Sequence, residues 1–210
     1  MPELRYTLLA DGPSDRALMP VVRWALEESG VRIAIQDNYA DLRRLPRPPR
    51  GLVERIRKSV ELYPCDLLFV HRDAEGEPRE TRENEIRQAL RSLGNLEIPA
   101  VCVIPVRMQE ARLLFDEDAI RRAAGNPRGR GPLVLPRLAE MEDLPDPKAT
   151  LRDLLRDACG LRAGRRRQLR VHPSRVAELI DDFAPLRNLS AFRAMEAALR
   201  DVIRGRGWAE

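Results

Sequence analysis

The amino-acid sequence predicts an α/β fold, a mostly parallel sheet sandwiched by helices, with a C-terminal helical lobe. Three observations carry this expectation. Short apolar runs alternate with stretches of helical periodicity through the first half of the chain, in the order β-α-β-α-β-α-β. The runs are near-continuously apolar, as in strands covered on both faces, and right-handed crossovers then make the sheet mostly parallel. Two of the runs, residues 4–10 and 66–70, stop at acidic residues beside a glycine.

Residues 4–10 are the first expected strand. A helix follows from Ser14, an N-cap residue type, with Leu18, Val21, Val22, Ala25 and Leu26 as its apolar stripe; Pro20 marks a kink or a restart. The second strand is expected at 31–35, followed by a Pro/Arg-rich loop over 37–50 and a second helix marked by Leu52, Val53, Ile56 and Val60. Residues 66–71 read as the third strand and 80–93 as the third helix, with Ile86, Ala89, Leu90 and Leu93 inward. Residues 100–104 read as the fourth strand, ended by Pro105. Short helices over 108–124 precede a Gly/Pro-rich stretch at 125–132. Helices are then expected near 148–159, 173–182 and 188–204, with the basic run 164–170 between the first two of these. The expected division is a core over 1–124 and a helical extension over 125–210 packed on it, because no clean linker separates them.

A chain of 210 residues, 43% of them hydrophobic, can fill one sizeable core. The charged fraction of 33% is above the usual quarter, yet 37 basic and 33 acidic residues nearly cancel. Only Lys58 and Lys148 are lysines, so the basic charge is nearly all arginine, whose fork matches phosphate oxygens; base composition of the gene explains the same bias. Cys65, Cys102 and Cys159 are isolated, without CxxC or zinc spacing, and an odd number argues against a disulfide framework. With no apolar stretch of membrane-spanning length and no signal-peptide pattern, the expectation is a soluble, cytoplasmic protein without membrane contact.

The candidate chemistry lies at the strand ends. If the first and third strands are neighbours, Asp11, Asp15, Asp73 and Glu75 converge on one cleft. Clustered carboxylates repel one another and are stable mainly around a divalent cation. Each segment also has a structural explanation. Residues 11–15 suit a turn followed by a helix cap, and 73–75 suit a solvated acidic loop, since Glu77, Glu80, Glu83 and Glu85 follow. Glu110, among apolar neighbours, is either a salt-bridge partner of Arg107 or Arg112 or a further metal ligand. His71 and His172 are the only histidines, too few for a His-rich metal site or a Ser-His-Asp triad; His71 reads as a hydrogen-bonded strand-end residue. Arg165, Arg166 and Arg167, with Arg128, Arg130 and Arg162, form either a solvated loop or a track along a phosphate backbone. Lys148 reads as a surface residue at a helix start or as a phosphate contact. No glycine-rich nucleotide cradle is signalled, and scarce aromatics do not suggest sequence-specific reading of single strands.

These pieces resemble the TOPRIM-type nuclease folds, in particular a DUF4276-like family of bacterial proteins related to the nuclease half of OLD-type proteins. Asp11-Gly12-Pro13-Ser14-Asp15 resembles the family's acid-Gly-Pro-Ser/Thr-acid turn, and Asp73-Ala74-Glu75-Gly76 its Asp-x-Asp strand end. Residues 105–116, ending Glu110-Ala111-Arg112-Leu113-Leu114-Phe115-Asp116, resemble a Pro-x-x-x-x-Glu-Ala-Trp-Leu-Leu-x-Asp segment; Asp146-Pro147-Lys148 is a further match. The resemblance covers roughly the first 120 residues and implies Mg2+ or Mn2+ held by Asp11, Asp73 and Glu75. Asp15 and Glu110 would be additional catalytic acids, and Lys148, Arg165, Arg166 and Arg167 would bind phosphate. It implies phosphodiester cleavage, with DNA favoured over RNA, a role in phage or plasmid defence, an ATPase partner and room for a homodimer. The alternative is a non-catalytic partner or sensor subunit with a degenerate acidic site. Three departures stand out: Asp11 where glutamate is usual, Glu75 where aspartate is common, and Arg112 in place of the aromatic. A receiver-like reading would need a lysine after a fifth strand, and no fifth strand is evident.

Overall fold

A computed structural model describes residues 3–74, 76–94, 96–106, 108–166 and 168–209. The first half runs β1 (Glu3–Leu9), α1 (Leu18–Glu28), β2 (Ala34–Tyr39), α2 (Leu52–Leu62), β3 (Leu67–His71), α3 (Arg79–Ser92) and β4 (Ala100–Val103). The four strands form one all-parallel sheet in the order β2-β1-β3-β4. This is the expected α/β architecture. β3 is buried at every position, which is why its sequence is apolar without alternation.

The pleat sorts the side chains of each strand between two cores. Leu4, Tyr6, Leu8, Leu67, Phe69, Val101 and Val103 face a large cluster with α1, whereas Leu9, Leu68, Val70 and Ile104 face a smaller one with α2 and α3. The second half of the chain adds α4 (Glu117–Ala123), α5 (Pro147–Ala158), α6 (Ala163–Arg166), α7 (Pro173–Ala177) and α8 (Ser190–Arg206). Leu151 and Leu155 of α5 and Phe192 and Leu199 of α8 enter the same cluster as β1 and α1. The C-terminal helices are therefore part of the layer that covers one sheet face. Edge-on aromatic pairs run through it: Tyr6–Phe69 at 5.5 Å, Trp24–Phe183 at 6.1 Å and Phe115–Phe183 at 6.3 Å.

α8 is capped from outside itself. Glu142, in the 3-10 turn Leu138–Asp143, accepts hydrogen bonds from the Ser190 amide (3.1 Å), the Ala191 amide (3.0 Å) and the Ser190 hydroxyl (2.8 Å). The carboxylate thus satisfies helix N-terminal donors and complements the dipole. Glu142→Ala is expected to cost about 1–2 kcal/mol, read as a fall of several degrees in Tm; an unchanged Tm would mean that solvent caps α8 equally well.

Three expectations are corrected. The second strand is Ala34–Tyr39, displaced from 31–35, because β2 is a largely polar edge strand that an apolar run does not mark; Val31 instead bridges Ala209. Ser14 does not cap a helix. Its hydroxyl donates to Asp15 Oδ1 within a 3-10 turn, Pro13–Ala17, and α1 begins at Leu18. Pro20 therefore falls in the first turn of α1, where its missing N–H costs no helical bond; there is no kink, and the restart lies at Leu18, where the α-helix takes over from the 3-10 turn. The helix expected over 173–182 stops at Ala177, where the amides of Leu179 and Ile180 bond three residues back, to the carbonyls of Val176 and Ala177. Among the described residues, no helix is long and apolar enough to cross a membrane.

Candidate functional site

In this strand order the chain turns in opposite directions from β1, to β2 on one side and β3 on the other. Such a reversal opens a crevice outside the carboxyl ends of the two strands, where α/β proteins bind ligands. The register pairs Leu9 with Val70, so one or two residues further on Ala10 and Asp11 lie beside His71 and Arg72. The two acidic strand ends are thus neighbours, but their carboxylates face different partners.

Asp11 is held by arginines. Its Oδ1 accepts from Arg55 at 2.5 Å and its Oδ2 lies 3.1 Å from Arg72 Nε, while Arg55 also donates to the Ala10 carbonyl at 2.6 Å. Neither arginine drew notice in the sequence; Arg55 is 44 residues away, and only the strand–helix packing joins it to Asp11.

Asp15 and Asp73 meet instead at His71. Asp15 is buried and shapes its turn, with Oδ2 accepting the Gly12 amide at 2.7 Å and Oδ1 the Ser14 hydroxyl at 3.2 Å. Tyr39 donates its hydroxyl to the Gly12 carbonyl, tying β2 to the same turn. The His71 ring is fully enclosed, and its Nδ1 lies 2.8 Å from the Val103 carbonyl. A carbonyl only accepts, so Nδ1 carries a hydrogen. Burial pushes the His71 pKa down, against the pull of Asp15 and the Val103 bond, and favours the neutral ring. The Nε2 lone pair then faces Asp73 Oδ1 at 3.4 Å and Asp15 Oδ2 at 3.8 Å. Three acceptors meet there, and a proton or a cation relieves their repulsion. Among the described residues, no group of three or more His, Cys, Asp or Glu side chains is placed to hold a metal ion. Glu75, the other half of the expected acid pair, lies outside the described residues, as does Arg167.

Glu110 sits in the 3-10 turn Gln109–Leu113 after β4, and neighbouring Gln109 donates to the Ser14 carbonyl at 3.3 Å. This contact joins the third motif to the first. Glu110 forms no ion pair with Arg112, and Arg107 lies outside the described residues, so of the two readings of Glu110 the Arg112 salt bridge is excluded. Burial raises the Glu110 pKa above its ordinary 4.5; Lys148 draws it down and Asp15 adds to the rise. A carboxyl whose pKa is higher folded than unfolded costs stability as pH climbs from 4.5 through the folded value. Glu110→Gln is therefore expected to match the wild-type Tm near pH 4 and to exceed it at pH 8. A Tm difference that does not change with pH would refute this.

Arg112 is buried at 2% exposure, with neither Nη1 nor Nη2 hydrogen-bonded among the described residues. Its guanidinium lies 5.9 Å from the centre of the Phe192 ring. Burial lowers its pKa to about 10, offset in part by the charges of Glu142 and Asp73.

The structure brings Lys148 to Glu110. Both line a cavity of about 600 Å3 between α5 and the segment leading into α7. Arg152 and Arg156 line it too, and the sequence carried their signal: with Lys148 they recur at i, i+4 and i+8. Arg165 and Arg166 lie on α6 away from this lining, Arg166 beside Asp157 at 3.3 Å. Asp116, at the end of the third motif, caps α4 by accepting the Ala119 amide at 2.8 Å.

The chain matches no family model, no characterised protein and no solved structure.

Proposed function

We propose that this protein is a metal-dependent phosphodiester hydrolase, a nuclease with a TOPRIM-like acidic site at the crevice between β1 and β3. The supporting observation is the meeting of Asp15 and Asp73 at Nε2 of buried His71, a ring nitrogen with no hydrogen-bond partner among the described residues. Asp15, Asp73 and His71 are ligand types that Mn2+ and Mg2+ accept, but as placed they do not by themselves form a metal-holding group; the resemblance adds Glu75, outside the described residues, as the ligand that would complete the set. Such an ion, when bound, activates water and stabilises the leaving oxygen.

The chain's own groups supply the rest. The Gly12 amide and the Ser14 hydroxyl fix Asp15, and the Val103 carbonyl fixes the His71 tautomer. Asp11 serves as the anchor that keeps Arg55 and Arg72 at the crevice, where guanidinium groups can meet a phosphate. Glu110, with its raised pKa, is the group suited to hold a proton for the leaving oxygen. DNA is the favoured substrate ahead of RNA, and a cytoplasmic role in phage or plasmid defence accords with the resemblance.

A second reading has its own observation. Arg55 and Arg72 already neutralise Asp11, and buried Arg112 lies within electrostatic reach of Asp73. Acids served by arginines suit a non-catalytic subunit, such as the partner of an ATPase. Purified protein incubated with plasmid, single-stranded DNA and RNA separates the two. The first reading expects cleavage with Mn2+ or Mg2+, lost in EDTA, and a Tm raised by the metal. Absence of both cleavage and thermal shift overturns it in favour of the second.

A further inference from the structure

The cavity beside Glu110 has a two-sided lining. Leu151 and Leu155 of α5 and Leu169 and Val171 form an apolar floor, and Lys148, Arg152 and Arg156 form a basic stripe along one side of α5. About 600 Å3 is within the usual range for small-ligand sites.

Three features of this stripe point to an anion. Lys148 stands in the first turn of α5, where the helix dipole disfavours a cation, so helix stability does not explain it. Among the described residues it has no side-chain hydrogen bond or ion pair; its charge acts on Glu110 across the cavity. Arg156 Nε is buried without a hydrogen-bond partner among the described residues, a donor lacking an acceptor. Several cations together suit a phosphate better than a single carboxylate. The apolar floor requires that the phosphate carry a body to cover it. Glu110, the acid at the inner wall, favours a body with hydrogen-bonding edges, which an acyl chain lacks.

We propose that this cavity binds one nucleoside monophosphate unit, with its phosphate on Lys148, Arg152 and Arg156 and its nucleoside over Leu151, Leu155 and Val171. The inference deepens the phosphodiesterase reading and rests on it for the choice of nucleotide. The cavity then receives the terminal nucleotide of a strand, or the mononucleotide released from it, beside the acidic crevice that Glu110 adjoins.

Isothermal titration of the full chain in EDTA tests this, using 5′-AMP, 5′-GMP, 5′-CMP and 5′-UMP, the four nucleosides, and inorganic phosphate. At least one mononucleotide is expected to bind about tenfold or more tighter than its nucleoside and than phosphate alone. Lys148→Ala and Arg152→Ala, both at exposed positions, are each expected to weaken it about tenfold with the Tm unchanged. Asp73→Ala is expected to bind as the wild type does. No binding of any mononucleotide, phosphate binding as tightly, or indifference to both substitutions overturns the proposal. Nucleotide binding without nucleic-acid cleavage leaves the cavity assignment standing and removes the nuclease reading; cleavage without nucleotide binding does the reverse.

Discussion

Asp73→Ala is expected to reduce nucleic-acid cleavage about a hundredfold or more while leaving the fold intact. Asp73 follows β3 at the crevice, partly exposed, and its Oδ1 is the carboxylate oxygen nearest His71 Nε2, at 3.4 Å. Removing the carboxylate takes one of the three acceptors from the meeting point, and with it much of the attraction for a cation. Stability should change little, because Asp73 is partly exposed and the repulsion relieved at His71 is set against the lost attraction to Arg112. The measurement pairs a cleavage assay in Mn2+ and Mg2+ with Tm recorded with and without metal. Loss of cleavage together with loss of the metal-induced Tm shift is the expected result. Cleavage at the wild-type rate would remove Asp73 from the site and, with it, the convergence on which the proposed function rests.

Arg112→Met should stabilise the protein. The guanidinium is enclosed, without hydrogen bonds for Nη1 and Nη2 among the described residues. The fall of its pKa to about 10, well below the ordinary arginine value, corresponds to roughly 3 kcal/mol against the charged form at neutral pH. Because the folded value lies below the unfolded one, stability rises only as pH climbs from about 10 toward the ordinary arginine value, and the cost is constant across the working range. Methionine has a similar length, packs on Phe192 and removes the buried charge. Replacing a poorly satisfied buried ion by an apolar side chain is expected to give about 1–3 kcal/mol, or several degrees of Tm. A variant less stable than wild type would mean that attraction to Glu142 and Asp73 outweighs the burial. Arg112 stands where the resembling segment has an aromatic residue, and its ring contact with Phe192 keeps part of that packing role.

Several features of this molecule were legible without coordinates. β1, β3 and β4 are short apolar runs of the right length, α2 and α3 carry clear apolar stripes, and the alternation of the two requires crossovers and a parallel sheet. β2 was read three residues early because an edge strand need not be apolar. Whether Pro20 kinks a helix or marks its restart depends on its position in the helix, which the start of α1 at Leu18 decides in favour of the restart.

The site divides along the same line. Residue types and strand ends singled out Asp11, Asp15, Asp73 and Glu110, because acids that terminate apolar strands gather at one edge of a parallel sheet. Which groups face which was beyond the sequence. Asp11 finds Arg55 and Arg72, Asp15 and Asp73 find His71, and Glu110 finds Lys148 across a cavity, through separations of up to 61 residues along the chain, between Asp11 and Arg72. The order β2-β1-β3-β4, the packing of α2 against β1 and the packing of α5 against the 3-10 turn Gln109–Leu113 decide those meetings. Chemistry at a strand end follows from local sequence, because backbone periodicity is local. The partner of each charge follows from tertiary packing, because a charge acts on whatever the fold brings within a few ångströms, whatever its place in the chain.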